Sequence, residues 1–202
     1  MAGCPRDTAV LSPEELAGML STGDGAWQTP KPLFNKLDGI FHFDLDAAAS
    51  DEDHLCRNYI TAEDGALSMP WTFPEYDINA IWLNPPFGDQ PFDWMVKVIR
   101  EARQPHHPVI AVLHACRPSA KWWQLLRAHS KFMVFFDKRI KYVYPRPKSV
   151  EEALVEGFFS GKKKSPAFDS ALAIVHKERD DERNKSWYLQ LQQLGAVWWI
   201  SR

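Results

Sequence analysis

The chain has 202 residues, 45% of them hydrophobic, enough for one compact domain with a substantial core. Its 24 Lys and Arg against 26 Asp and Glu leave a formal charge of -2, which excludes a globally basic nucleic-acid binder and confines any polyanion contact to local patches. Three widely spaced cysteines (Cys4, Cys56, Cys116) give neither a disulfide framework nor a zinc pattern. No apolar stretch has the length of a membrane span, and no basic-then-apolar leader opens the chain, so the sequence reads as a soluble, cytoplasmic protein without metal.

In chain order, Ser12-Pro13-Glu14-Glu15 is an N-cap signature that predicts a short helix to Leu20 within an accessory arm over 1–25. Residues 26–202 read as one further domain. Pro32 to Leu37 reads as a short helix capped by Thr29, and Phe41 to Ala47 as a strand ending near Asp46. Asp51 to Arg57 can be helical, and Asn58 to Thr61 can form a short strand. Ala80-Ile81-Trp82-Leu83 is a buried strand stopped by Pro85-Pro86.

Phe92 to Ala102 has apolar residues at helical spacing, Val109 to Leu113 reads as a buried parallel strand, and Ser119 to His129 as a helix. Phe132 to Phe136, Ala171 to Val175 and Ala196 to Ile200 complete the strands. This alternation predicts an α/β sandwich on a mostly parallel sheet. Residues 145–166, with prolines and Lys162-Lys163-Lys164, break it as a long loop suited to facing a ligand. Trp122-Trp123 and Trp198-Trp199 are expected to pack in the interior. Trp27 and Trp71 stand beside the motifs below, where a functional role stays open.

Asn84-Pro85-Pro86-Phe87 is the most informative segment. An amide oxygen, a proline carbonyl freed by a stiff backbone and an aromatic face converge at one strand end. That set suits a planar substrate with an exocyclic amine, whose two N–H groups need acceptors while its ring stacks. Asp44, Asp46 and Asp64 also fall at predicted strand ends, where open α/β sheets bind ligands.

Trp27-Gln28-Thr29-Pro30, Phe43-Asp44-Leu45-Asp46-Ala47-Ala48-Ala49-Ser50, Asp64-Gly65-Ala66-Leu67 with Trp71, and Trp82 to Gly88 together resemble the ordered signatures of phage-type (Dam-like) DNA N6-adenine methyltransferases. Arg139-Ile140-Lys141-Tyr142 and Ser165 to Leu172 are similar to that family's closing hairpin. The resemblance implies a Rossmann-like class I methyltransferase fold, S-adenosylmethionine as methyl donor, DNA as substrate with base flipping, and a phage or prophage origin. It implies that Trp27, Thr29, Pro30, Asp44, Asp46, Ala47, Asp64 and Asn84 hold the cofactor, and that Asn84, Pro85, Pro86 and Phe87 are catalytic. Ala47-Ala48-Ala49 stands where a glycine-rich loop is expected. Only about seventeen residues separate Asp46 from Asp64, too few for a complete strand–helix–strand unit, so Asp46 fits either the first-motif acid or the ribose-binding acid. Lys138, Arg139 and Lys141, with Lys162, Lys163 and Lys164, are the expected phosphate contacts. Methyl transfer to cytosine N4, RNA adenine or a glutamine amide, and a non-catalytic relative that binds DNA or cofactor, are the competing readings.

Overall fold

The computed structural model describes residues 27–73, 76–88, 90–143, 166, 168–177 and 180–200. The N-terminal arm and its helix, and the loop 145–166 with its lysine run, lie outside these residues, apart from the buried Pro166. Helix α1 (Lys31–Phe41) is followed by strands β1 (Leu45–Asp46), β2 (Asn58–Tyr59) and β3 (Ala80–Leu83). Helix α2 (Pro91–Glu101), β4 (Val109–Ala115), α3 (Lys121–His129), β5 (Phe132–Phe136), β6 (Ser170–Val175), α4 (Asp181–Leu191) and β7 (Gly195–Trp199) complete the order.

All strands join one seven-stranded sheet in the order β2-β1-β3-β4-β6-β5-β7. The first four run parallel, whereas β6 runs antiparallel to both β4 and β5, and β7 antiparallel to β5. Three of the six ladders are therefore antiparallel, which corrects the expectation of a mostly parallel sheet. The cause is the insertion of β6 between β4 and β5, and an unbroken apolar run such as Ala171 to Val175 carries no signal of strand direction.

Helices cover both faces. On one, Phe34, Leu37 and Phe41 of α1 and Trp187 and Leu191 of α4 pack with Trp82, Leu113 and Phe132. On the other, Trp94, Met95 and Val98 of α2 and Trp123 and Leu126 of α3 pack with Ile81, Leu83, Ile110 and Met133. Successive residues of a strand point to opposite faces, so the fully buried β3 is apolar throughout and β4 is apolar except for the buried His114.

Local expectations fail in four places. Helix α1 runs through Phe41, because Phe34, Leu37 and Phe41 share one buried stripe, and it starts at Pro30 with no side-chain cap from Thr29. Residues 51–57 form bends rather than a helix: Ser50 and Asp53 close a turn through reciprocal backbone bonds. Helix α4 is absent from the sequence reading, since only Asn184, Trp187 and Leu191 of its eleven residues are buried and it has little amphipathic pattern. Trp198 stays 54% exposed on the edge strand β7, although its neighbour Trp199 packs on Phe132 and Tyr188.

This topology sets up one reversal point, where a crevice is expected. From β1 the chain crosses to β2 on one side and then returns to β3 on the other, so strand order reverses between β1 and β3. Ligands of open α/β sheets bind outside the carboxyl ends of strands at such a reversal. Asp46 ends β1 and Asn84 follows β3 at that place.

Candidate active site

Asn84 leaves β3 with Pro85 buried behind it, Pro86 and Phe87 half-buried, and Gly88 at a φ of 101° that glycine adopts without strain. Asn84 Nδ2 donates to the Trp27 carbonyl at 2.6 Å. Its Oδ1 is buried and has no partner. A buried amide oxygen without a donor costs about 1–3 kcal/mol. Thr29 Oγ1 is the second such atom, on a residue only 5% exposed.

The segment carrying Trp27 and Thr29 is fixed from both sides. Gln28 N donates to the Val143 carbonyl and Val143 N to the Gln28 carbonyl, both at 3.0 Å. Pro30 accepts from the Leu33 and Phe34 amides at the start of α1, and Trp27 is buried in the core. Two stretches distant in sequence, 27–30 and 139–143, thus close over the end of β3.

Phe87 lies within an aromatic cluster. Its ring centroid is 4.8 Å from that of Phe168 and 5.5 Å from that of Tyr142, the latter edge-on. Tyr142 Oη and Ser170 Oγ share a hydrogen bond of 2.9 Å, and burial pushes the Tyr142 phenol up, so it remains protonated. The sequence reading gave no individual role to Tyr142, Phe168 or Ser170. Their only sequence signal is their place in the Arg-Ile-Lys-Tyr and Ser-Pro-Ala-Phe-Asp-Ser segments.

Asp46 is 4% exposed, and burial raises its carboxyl pKa to about 6, against the backbone amides of Leu55 (3.1 Å) and Ala48 (3.4 Å) that favour the ionised form. Its neighbour Ala47 is fully buried and donates to the Trp82 carbonyl at 3.0 Å. Ala47 follows β1 directly and does not have a positive φ, so its methyl is tolerated here. The carboxyl is thus poised to gain from any donor that enters the crevice.

The remaining candidates stand apart from this cluster. Asp44 lies at the amino end of the sheet, where its Oδ2 accepts from the amides of Asn79 (2.8 Å) and Ala80 (3.1 Å) and anchors the start of β3. Asp64 is exposed and closes a turn, accepting from Thr61 N (2.9 Å) and Thr61 Oγ1 (2.8 Å); the Thr61 amide, then its hydroxyl, lowers the Asp64 pKa. Trp71 is fully buried and donates Nε1–H to the Ala66 carbonyl at 2.8 Å, which gives it a structural role. Lys138, Arg139 and Lys141 are all exposed beside Tyr142, and Arg139 reaches Asp169 at 3.5 Å. Among the described residues, no group of three His, Cys, Asp or Glu side chains is arranged to hold a metal, and no helix is long and apolar enough to cross a membrane.

The molecule is thus a mixed α/β protein with an unpartnered amide oxygen at the reversal point of its sheet. The family described as DNA N-6-adenine-methyltransferase (Dam) matches residues 19–194, and the chain belongs to that family. Two phage proteins, each named DNA N-6-adenine-methyltransferase, are similar to it. That of Escherichia phage T1 is 28% identical over 112 residues, covering 55% of this chain and 44% of the relative. That of Haemophilus phage HP1 (strain HP1c1) is 26% identical over 120 residues, covering 58% of this chain and 65% of the relative. The chain therefore spans less than two thirds of the length of either.

Proposed function

We propose that this protein transfers a methyl group from S-adenosylmethionine to the N6 amine of adenine in DNA. The observation that carries this reading is the buried, unpartnered Oδ1 of Asn84 at the reversal point of the sheet, beside the half-buried ring of Phe87. Family membership selects adenine among the planar amines that would fit. The reading takes the fold as a Rossmann-like class I methyltransferase sandwich, with residues 26–202 as its single domain.

The adenine amine is a poor nucleophile because its lone pair is delocalised into the ring. Acceptors on both N–H groups favour a tetrahedral nitrogen and stabilise the positive charge that develops on it. Asn84 Oδ1 and the Pro85 carbonyl supply these acceptors, already oriented before the reaction. The transfer needs no covalent nucleophile. Such geometry is out of reach inside a duplex, so the base is flipped out at a cost of a few kcal/mol. Stacking on Phe87 offsets part of it, by about 1–3 kcal/mol.

The residues present fit S-adenosylmethionine. Thr29 Oγ1 is an orphaned buried hydroxyl, and Asp46 is a buried carboxyl held short of full ionisation. When bound, this cofactor supplies an electrophilic methyl group. Thr29 and Pro30, near the buried Trp27, would hold its methionine end, with Asp46 and Ala47 beneath it. Asp46, at the end of β1 next to β3, is assigned as the first-motif acid rather than the ribose-binding acid. Asp64, at the turn after β2, is assigned to the cofactor adenine, and Asp44 supports the sheet beneath the site. Lys138, Arg139 and Lys141 contact DNA phosphates together with Lys162, Lys163 and Lys164.

Transfer of tritiated methyl from S-adenosylmethionine to several DNAs, with mass spectrometry of the hydrolysed product, tests the reading. N6-methyladenine is expected. N4-methylcytosine, or transfer only to RNA or protein, would replace the substrate, and no transfer at all would leave a binding protein.

A further inference from the structure

The contact between Asn84 and Trp27 determines more than the position of a side chain. A carbonyl oxygen can only accept, so the atom of Asn84 at 2.6 Å from Trp27 O must be the amide nitrogen. That choice leaves Oδ1 pointing away, buried and without a donor. The Trp27 carbonyl is itself immobilised. Residue 28 is paired in both directions with Val143, and the Trp27 side chain is buried.

We infer that the Trp27 main-chain carbonyl is the positioning group of the site: it locks the Asn84 amide so that only oxygen is offered to the substrate amine. The inference rests on the reading of Asn84 as the amine acceptor. It carries a consequence specific to this chain. An aspartate at the same place would offer acceptor oxygens just as well, but an ionised carboxylate has no hydrogen for Trp27 O. Two oxygens would then face each other at hydrogen-bond distance, and the side chain would have to rotate away or take up a proton. The chain requires the amide for its donor half as much as for its acceptor half. Because residue 28 is bonded to residue 143, the lock is also continuous with the exposed stretch that carries Lys138, Arg139 and Lys141.

Two measurements test this, and only one depends on activity. In the full-length wild-type protein without cofactor or DNA, NMR should show one slowly exchanging Asn84 side-chain N–H. Replacing Asn84 by Asp should shift the Trp27 carbonyl carbon. An Asn84 amide exchanging as fast as a free asparagine would overturn the lock, whatever reaction the protein performs. The second measurement is the pH profile of methyl transfer by Asn84→Asp beside the wild type.

At about pH 8 the variant should lose on the order of 10²-fold in kcat, with cofactor and DNA affinities within about twofold of wild type. As pH falls toward about 5.5, protonation restores a donor to Trp27 O, and the ratio of variant to wild-type kcat should rise on the order of tenfold. Taking this ratio removes the titrations shared by both proteins, from Asp46 on β1, His114 on β4 and Tyr142 beside Phe87. The flanking cations Lys138, Arg139 and Lys141 are likewise common to both proteins. Wild-type kcat for Asn84→Asp at pH 8 would overturn the inference. So would a loss that is independent of pH, although it would leave Asn84 as the amine acceptor. Absence of wild-type transfer would instead remove the proposed function, and the NMR measurement would still decide the lock.

Discussion

Asp46 and Trp82 are register partners on the adjacent parallel strands β1 and β3, and Ala47 donates to the Trp82 carbonyl just beyond them. Asn84 follows two residues after Trp82. This pairing brings a buried carboxyl and an unpartnered amide oxygen to the same end of the sheet, and the two groups respond to different perturbations.

Asp46 should make stability and cofactor binding depend on pH in opposite ways. Its folded pKa is raised to about 6 from 3.8, because burial disfavours the charged form. A raised folded pKa means that the native state holds its proton more tightly than the unfolded chain. This contribution is therefore fully present below about pH 3.8 and is lost as pH rises through about 6, for a total of about 3 kcal/mol at most. Urea unfolding across this range should show that loss in the wild type and not in Asp46→Asn. If donors of bound S-adenosylmethionine reach this carboxylate, its affinity should fall on acidification below about pH 6. Calorimetry showing the same pH dependence in Asp46→Asn would separate Asp46 from the cofactor.

Asn84→Ala should keep the fold and cofactor affinity and lose methyl transfer by a factor on the order of 10² or more, the usual worth of one preorganised dipole. The substitution removes an acceptor that forms no bond in the free protein, so little stability depends on it. The one bond it deletes, to the Trp27 carbonyl, is worth about 1 kcal/mol. Near-normal turnover by a folded variant would remove Asn84 from the chemistry.

Glu101 receives the Lys97 ammonium at 2.7 Å and the Trp71 amide at 3.2 Å, and the two charged side chains are only 2% and 5% exposed. Lys97 Nζ also donates to the Met69 carbonyl, so the pair fastens 69–71 to α2. Removing one partner strands a buried charge. Lys97→Met should cost about 3–5 kcal/mol in urea denaturation, whereas the double replacement Lys97→Met with Glu101→Leu should recover much of it. Equal costs for the single and double variants would mean that the pair acts through packing rather than charge.

The sequence disclosed the parts whose physical signal is local. Phe132 to Phe136 has the bounds read from its apolar run, and Ala80 to Leu83 ends at the two prolines as expected. Long-range pairing was not legible. Nothing in Ala171 to Val175 says that it enters between β4 and β5, or that Phe168 ahead of it comes to rest on Phe87. Asp44 and Asp46 are two residues apart and look equivalent as sequence. The first anchors β3 through the amides of Asn79 and Ala80, while the second is buried at the crevice, a difference that only the β1–β3 register creates. Asn84 was recognised from its motif, but its donor to Trp27, 57 residues away, had no sequence signal.

The exposed cations beside Tyr142 should contribute unequally to DNA binding. Lys138 and Lys141 have no carboxylate partner among the described residues, whereas Arg139 stands 3.5 Å from Asp169, with both side chains more than half exposed. An exposed pair of this kind adds little stability but already neutralises part of the charge available to a phosphate. Each phosphate contact contributes about 0.9 to the slope of log affinity against log salt. Replacing Lys138 and Lys141 by Ala should therefore flatten the slope by nearly 2, and Arg139→Ala by less than 1. Replacing Lys162, Lys163 and Lys164 together should flatten it further without changing cofactor affinity, because the cofactor is proposed to bind at the ends of β1 and β3. Fluorescence anisotropy on an unrelated duplex over a salt series reads all three. An unchanged slope in the Lys138 and Lys141 variant would return those residues to plain solvated surface, and a loss of cofactor binding in the triple variant would put 162–164 against the crevice instead of DNA.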